Sequence, residues 1–491
     1  MSLKPTSAAS AALVWALAAL VAWLAWMSLP WPLIHDAPII HYIATRIAAG
    51  DVPYRDLFDM NMPGVYVLHL ALVQTLGTGD FAWRIFDLAW LAAGALAIAA
   101  FAVPWGRTAA AGAALFFAAY HLAGGAWQTG QRDFLLCPFL LAGALGAARW
   151  AEDGAPARRA LSVAGAGVAL GAAMSIKPHA ALFAAALLAF IAVVAGRAAL
   201  APAAIFAAGA AVVPAALVLW LAAAGGLGAW TDIVVRYLVP VYSSLGRPAH
   251  WAVYRWHVWI PITLASDSTT ASAARSRRLG SRHAAAALGL AYGVAHYVGQ
   301  GKGWEYHLYP LAAFAAVLAF GELDALLAAR RFILAAPLVL TLAAAAVLLG
   351  VKGVEAAPAT WLRDKEGVVR QLVGDVRLRM APGDLVQVLD TAEGGVHALL
   401  RLDARQPTRF LYDFPLFTAD EAPITAALRR EFIHDLDARP PRFIAVFEHG
   451  WPAGGHERID RFPELRDRLA SRYEVVEWRP AFTLYAQRSR P

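Results

Sequence analysis

The chain has 491 residues, 59% of them hydrophobic and 16% charged, with a formal net charge of +7 and a mean hydropathy of +0.52. That composition excludes an ordinary soluble protein. It also excludes nucleic-acid binding as the reason for the basic balance, because the Arg clusters fall in short loops between apolar runs, where they set topology.

In chain order, Lys4 precedes an apolar run over 12–29 whose length and lack of a small-residue cleavage site favour an uncleaved first span over a signal peptide. Further runs long enough to cross roughly 30 Å of hydrocarbon cover 82–103, 108–124, 133–149, 160–176, 179–196, 201–224, 251–265, 284–299, 307–321 and 332–350. Backbone groups in lipid must pair internally, so these runs are predicted helices, about 11 in all. If 65–76 also crossed, Arg149, Arg158, Arg159, Arg275, Arg277, Arg278 and Arg282 would lie outside, against the positive-inside rule. A re-entrant or interfacial helix there leaves them on the cytoplasmic side with Lys4, Arg107, Arg197, Arg330 and Arg331. This topology puts the N-terminus inside. It places 30–81, 124–132, the hinge at 177–179, 224–255, 301–307 and everything after the last span outside. The single cysteine, Cys137, lies in an apolar run and permits no intrachain disulfide.

A Ser/Thr/Ala/Arg-rich cytoplasmic linker spans 266–281. Beyond Lys352 the composition becomes that of a soluble domain. Strands are predicted at 384–390, 409–413 and 442–448, helices at 424–438 and 463–472, and a closing hairpin over 473–478 and 482–487. The expectation is a membrane domain over 1–350 and a small extracytoplasmic α/β domain over 351–491. The latter has no phosphate-binding glycine fingerprint and no metal-ligand spacing.

Four polar clusters fall on the outer side. The first loop, from His35 to Gly64, carries Asp36, Asp51, Asp56 and Asp59 among Tyr54, Arg55 and histidines. Asp36 sits at the membrane surface just beyond PWPLI, where partial loss of hydration raises a carboxyl's pKa toward the range useful to a general base. Arg132 and Asp133, in GAWQTGQRDF, read equally as an ion pair capping the next helix or as functional groups. KGWEYHLYP gathers Lys302, Glu305, Tyr306 and His307 at the outer boundary. Lys177, in SIKPHA, lies near membrane depth, where a lysine faces an anion or snorkels to the surface. Cations occur in all four clusters, an arrangement suited to a phosphate-bearing substrate near the outer leaflet.

An Asp just past the first span, AGDVPYRDLFDMNMPGVYVLHLAL, GDFAWRIFDL, KPHAALF and KGWEYHLYP occur in that order. Together they resemble the GT-C superfamily of polytopic glycosyltransferases, in particular bacterial families related to aminoarabinose transferases and protein mannosyltransferases. The resemblance spans about residues 30 to 320. It implies transfer of a sugar from a polyprenyl-phosphate carrier to a glycan, glycolipid or protein acceptor on the outer face of a bacterial inner membrane, with inversion. Asp36 matches the family's catalytic carboxylate. The resemblance further assigns Lys302, His307, Lys177, Arg132, Glu305 and Tyr306 to the departing lipid phosphate, and Asp59, Tyr54, Arg55 and Asp133 to acceptor or sugar hydroxyls. Relatives carry a second acid directly after the first Asp and a Pro-Pro pair. Here Ala37 and Met62-Pro63 stand in those places, so a metal-independent enzyme without cofactor is expected. The competing readings are a transporter or flippase, disfavoured by the absence of internal repeats, and a polymerase or ligase of lipid-linked glycans.

Overall fold

The computed structural model describes residues 8–248, 250, 280–358, 360–419, 422–451 and 454–488. The span expected at 251–265 and nearly all of the linker lie outside the described residues. Among those described, eight helical stretches are long and apolar enough to cross a membrane, from Ser10–Met27 to the one that opens at Phe332. Arg107–Ala123 and Ser281–Gln300 pack in the same bundle, one shorter and one more polar than the eight. They correspond to the runs expected at 108–124 and 284–299. The Tyr309–Ala328 helix is the axis of the bundle, buried without interruption from Tyr309 to Gly321.

Local sequence explains how these helices start and meet. Pro63, Pro156 and Pro310 occupy first-turn positions, where a missing N–H costs nothing. Small residues set the closest contact, between Pro156–Ile176 and Leu200–Ala224. A Cβ on Gly167 would stand 2.2 Å from the Phe206 carbonyl oxygen, so the two backbones touch as glycine-rich membrane helices do.

Between the first two spans lie two short helices, Ala37–Ala48 and Pro63–Thr75, packed on each other. The second has 13 residues and at 1.5 Å per residue is about 20 Å long, too short to cross. That fits the non-spanning role read from the charges.

After the last apolar helix, Thr360–Arg377 leads into a four-stranded sheet. Its strands are β1 (Val386–Leu389), β2 (Phe443–Phe447), β3 (Tyr473–Arg479) and β4 (Phe482–Gln487), in the order β1-β2-β4-β3. β1 and β2 are parallel, and β3 and β4 form the expected hairpin. Helices Pro423–Ala438 and Pro463–Arg472 fall where the sequence places them. The strand expected at 409–413 does not form. Its backbone is engaged elsewhere: the Arg409 carbonyl accepts from Phe58 N–H at 2.7 Å, the Phe410 carbonyl accepts from Gln406, and Asp413 N–H donates to the Asp390 carbonyl. Phe410 instead makes a single bridge to Phe58 in the first outer loop. With Tyr42 Oη donating to the Ala404 carbonyl at 2.9 Å and Arg409 donating to the Tyr54 carbonyl at 3.1 Å, it docks the C-terminal region onto that loop.

Candidate active site

Asp36 closes the turn that follows the first span. Leu33 N–H donates to Asp80 at 2.9 Å, and His35 takes a left-handed backbone with φ of 64°, a strained conformation for a non-glycine residue. The His35 ring stacks on Trp127, centroids 3.6 Å apart, with Lys365 Nζ 3.3 Å from Nδ1. Asp36 stands immediately before the Ala37–Ala48 helix, yet its side chain makes no capping bond. The carboxylate faces Arg132 Nη2 and His35 Nε2, each at 3.4 Å. Its side chain remains 26% exposed.

The expected upward shift of its pKa does not occur. Burial pushes the Asp36 carboxyl up, but His35, Arg132 and Lys365 outweigh it and hold the group below its ordinary value. Burial lowers His35 itself to about 4, so at neutral pH that ring is uncharged and Arg132 and Lys365 supply the field. Asp36 is therefore ionised at neutral pH, ready to accept a proton without first losing one.

Arg132 is delivered by the loop from Gly125 to Gln131. A buried network fixes that loop from inside the bundle. Asp87 Oδ1 accepts from Gly130 N–H at 3.1 Å, while Oδ2 meets Arg84 at 2.8 Å and His121 at 2.9 Å. His121 is in turn 2.6 Å from Tyr309 Oη. Gly130 has φ of 61°, and a Cβ there would lie 2.1 Å from the Trp83 ring, so only glycine fits the turn.

Arg132 and Asp133 do not pair with each other. Asp133, fully buried, meets His296 Nε2 at 2.5 Å and Lys177 Nζ at 2.9 Å, and accepts from Gln300 at 3.3 Å. Lys177 also donates to Gln300 at 2.9 Å, so its charge is already matched. Lys302 differs. Among the described residues no carboxylate lies within salt-bridge distance of it, and its ammonium rests 3.6 Å from the Tyr242 ring centroid and 5.2 Å from that of Trp304. Burial, with Lys177 and Arg132 nearby, lowers it to about 7. His307 is buried beside Tyr306, and its Nδ1 has no hydrogen-bond partner among the described residues.

Asp59 is sealed in the loop with all its bonds made: Met60 N–H at 2.7 Å, Tyr66 Oη at 2.7 Å and the Asn61 amide. Burial raises its carboxyl above the usual range despite those donors. Tyr54 Oη donates to the Asn61 carbonyl at 2.7 Å and braces the same turn. Arg55 is more than half exposed and pairs with Asp56, and Glu305 pairs with Lys352. The structure thus brings Asp36, Arg132, Lys302, Tyr306 and His307 to one region. Asp133 and Lys177 form an adjoining buried pair, and Arg55 and Glu305 are engaged elsewhere.

No protein-family model matches the chain, and no curated protein matches it significantly. Solved structures do. ArnT from Cupriavidus metallidurans bound to undecaprenyl phosphate superposes with a TM-score of 0.59 at 13% identity, covering 96% of this chain and 97% of that one. The apo state of the same protein gives 0.58 at 14% identity and 98% of both chains. The chain shares the fold of these ArnT structures. The likeness extends to the archaeal oligosaccharyltransferase AglB from Archaeoglobus fulgidus, in complex with an inhibitory peptide and a dolichol-phosphate. That match has a TM-score of 0.50 at 12% identity over 89% of this chain and 69% of that one. At such identities the likeness establishes the fold, and the site rests on this chain's own residues.

Within this fold, three groups escaped the reading of the sequence. Arg84 and Asp87 lie three residues apart inside an apolar run, and intramembrane charges of that kind are themselves a signal. His296 was hidden in a segment read only as a span, with Gln300 just past its end, although a histidine there carries the same message. Tyr242 and Tyr412 had no local signal. Both approach Asp36 and Arg132 closely enough to feel their charge, from chain segments distant from either.

Proposed function

We propose that this multi-pass membrane protein is a GT-C glycosyltransferase that moves a sugar from a polyprenyl-phosphate carrier to an acceptor hydroxyl, with inversion at the anomeric carbon. Asp36 is its general base. The observation that carries this reading is an ionised, quarter-exposed carboxylate held beside Arg132, with Lys302, a cation lacking a carboxylate partner among the described residues, close to that arginine. The fold neighbours support it, one of them bound to undecaprenyl phosphate and another to a dolichol-phosphate.

In this mechanism the acceptor oxygen attacks the anomeric carbon as the bond to the phosphate oxygen breaks, and its proton passes to Asp36. A carboxylate of low pKa is a weak base, so proton transfer runs late, when the attacking oxygen has gained positive character. Negative charge builds on the leaving phosphate, where Arg132 and Lys302 stabilise it and His307 adds a donor. Asp133 neutralises Lys177 and sets the local field. The active face is the outer one, with residues 351–491 as an extracytoplasmic domain and the N-terminus in the cytoplasm. The acceptor is a glycan, a glycolipid or a protein.

The test uses purified protein in lipid, a panel of polyprenyl-phosphate sugars and candidate acceptors, with Asp36→Asn as control. A loss in kcat of about 10²–10⁴-fold is expected for the removal of a general base. A folded Asp36→Asn protein with full activity overturns the assignment. The likeness to AglB favours one second reading, transfer of a whole oligosaccharide from the same class of carrier. Turnover with oligosaccharide-linked but not monosaccharide-linked carrier would select it. Chelator is expected to leave activity intact; loss that manganese restores would overturn the metal-independent chemistry.

A further inference from the structure

An aromatic wall stands beside this site, assembled from three distant parts of the chain. Trp451 contacts Phe414 with ring centroids 5.1 Å apart, and Tyr242 and Trp304 at 6.3 Å each. Tyr242 and Phe414 are 6.1 Å apart, and Tyr412 lies 5.4 Å from Phe414. Tyr242 follows the Leu200–Ala224 helix and Trp304 belongs to the loop after Ser281–Gln300, whereas Tyr412, Phe414 and Trp451 come from the C-terminal region. Lys302 rests against the same wall, over Tyr242 and Trp304.

Packing alone does not account for its chemistry. A seam that only joined the C-terminal region to the membrane bundle would be served by aliphatic residues with no polar atoms to satisfy. Here Trp304, Trp451 and Tyr242 keep part of their surface open. The Tyr412 hydroxyl, on a residue only 8% exposed, makes no hydrogen bond to any described residue, and neither does that of Tyr242. Neither hydroxyl is among the buried unpartnered atoms, so both reach open space beside an ionised carboxylate and an arginine, where a ligand can meet them. Ring faces that take apolar C–H groups, with phenols at the rim that take hydroxyls, match the two kinds of surface on a sugar ring.

We infer that the C-terminal region supplies the binding wall for the donor's sugar ring, with Trp451 stacking on its C–H face and Tyr412 bonding a ring hydroxyl. The inference rests on the transferase reading. It places the sugar between Lys302, which meets the phosphate to which that sugar is attached, and Asp36, which takes the proton of the acceptor oxygen attacking from the opposite side. Selectivity among donor sugars then resides in the C-terminal region, although the reacting groups come from the membrane bundle.

The test compares two ligands on the full-length protein in lipid: radiolabelled polyprenyl phosphate and the same carrier bearing a hexose that the wild type turns over. Trp451→Ala and Tyr412→Phe are each expected to weaken the hexose-bearing carrier about tenfold, leave the bare carrier unchanged, and raise KM while kcat stays within about twofold. Trp451→Phe restores most of the affinity and guards against a folding defect in the alanine variant. Equal loss for both ligands, or loss for neither, overturns the sugar wall and leaves the transferase reading standing. A wild type that binds neither carrier overturns the transferase reading itself, and the wall with it.

Discussion

Arg132 and Asp133 are neighbours in the chain and belong to two different electrostatic worlds. Arg132 turns to Asp36 across a 3.4 Å gap, and the carboxylate it meets is 26% exposed. Asp133 turns inward to a closed set of partners at 2.5 to 3.3 Å, with no exposure. Both carboxylates face cations, Arg132 for Asp36 and Lys177 for Asp133, so charge content does not separate them. Room does. A group that must exchange a proton with a substrate needs loose, replaceable contacts, whereas one that holds helices together needs every bond already made.

The sharpest way to break this contrast is to remove each acid in turn. Asp36→Asn is expected to abolish most turnover while leaving the melting temperature in detergent within a few degrees of wild type. Asp133→Ala strands Lys177 without its buried counter-charge and is expected to cost about 3–5 kcal/mol of stability, read as a large fall in melting temperature and in folded yield. An Asp133→Ala protein that stays stable but inactive would make Asp133 the chemical group and reverse the assignment.

A smaller effect sharpens the role of Lys302. Its pKa, lowered to about 7, means the ammonium is present below neutrality and lost as pH rises. Donor affinity is therefore expected to fall about tenfold per pH unit above 7. Lys302→Arg, charged at every pH in range, should flatten that profile. Asp36, held below its ordinary value, contributes no change between pH 5 and 9 and loses its charge only in strong acid. A wild-type profile that stays flat from pH 6 to 9 would remove Lys302 from the phosphate site. The smallest effect belongs to Arg55. It is exposed and paired with Asp56, and Arg55→Ala should leave both kcat and stability nearly unchanged.

Much of this architecture is legible without coordinates. Apolar runs gave helix positions because lipid leaves no other backbone solution, and the charge pattern excluded 65–76 as a span because arginines resist translocation. Asp36 was singled out through a motif. Its environment was not, since Arg132 is 96 residues away and Lys365 and Tyr412 are further still, contacts that no local pattern encodes. Arg132 and Asp133 show the same limit in miniature. Adjacent opposite charges look like a pair, and only tertiary geometry reveals that each has a different partner. The missing strand at 409–413 failed for a related reason: an alternation suited to a sheet was spent on a loop from the far end of the sequence.

Under the proposed transferase reading, the contacts of His35 and Asp36 also fix when activity can first appear during synthesis. The acid emerges with the first span, its arginine about a hundred residues later, and Lys365, which approaches His35, only after the last apolar helix has been made. Translation proceeds from the N-terminus at roughly 5–20 residues per second, so Asp36 waits tens of seconds for the partners that define its charge. On that reading a half-inserted chain holds no assembled site with which to act on a lipid carrier.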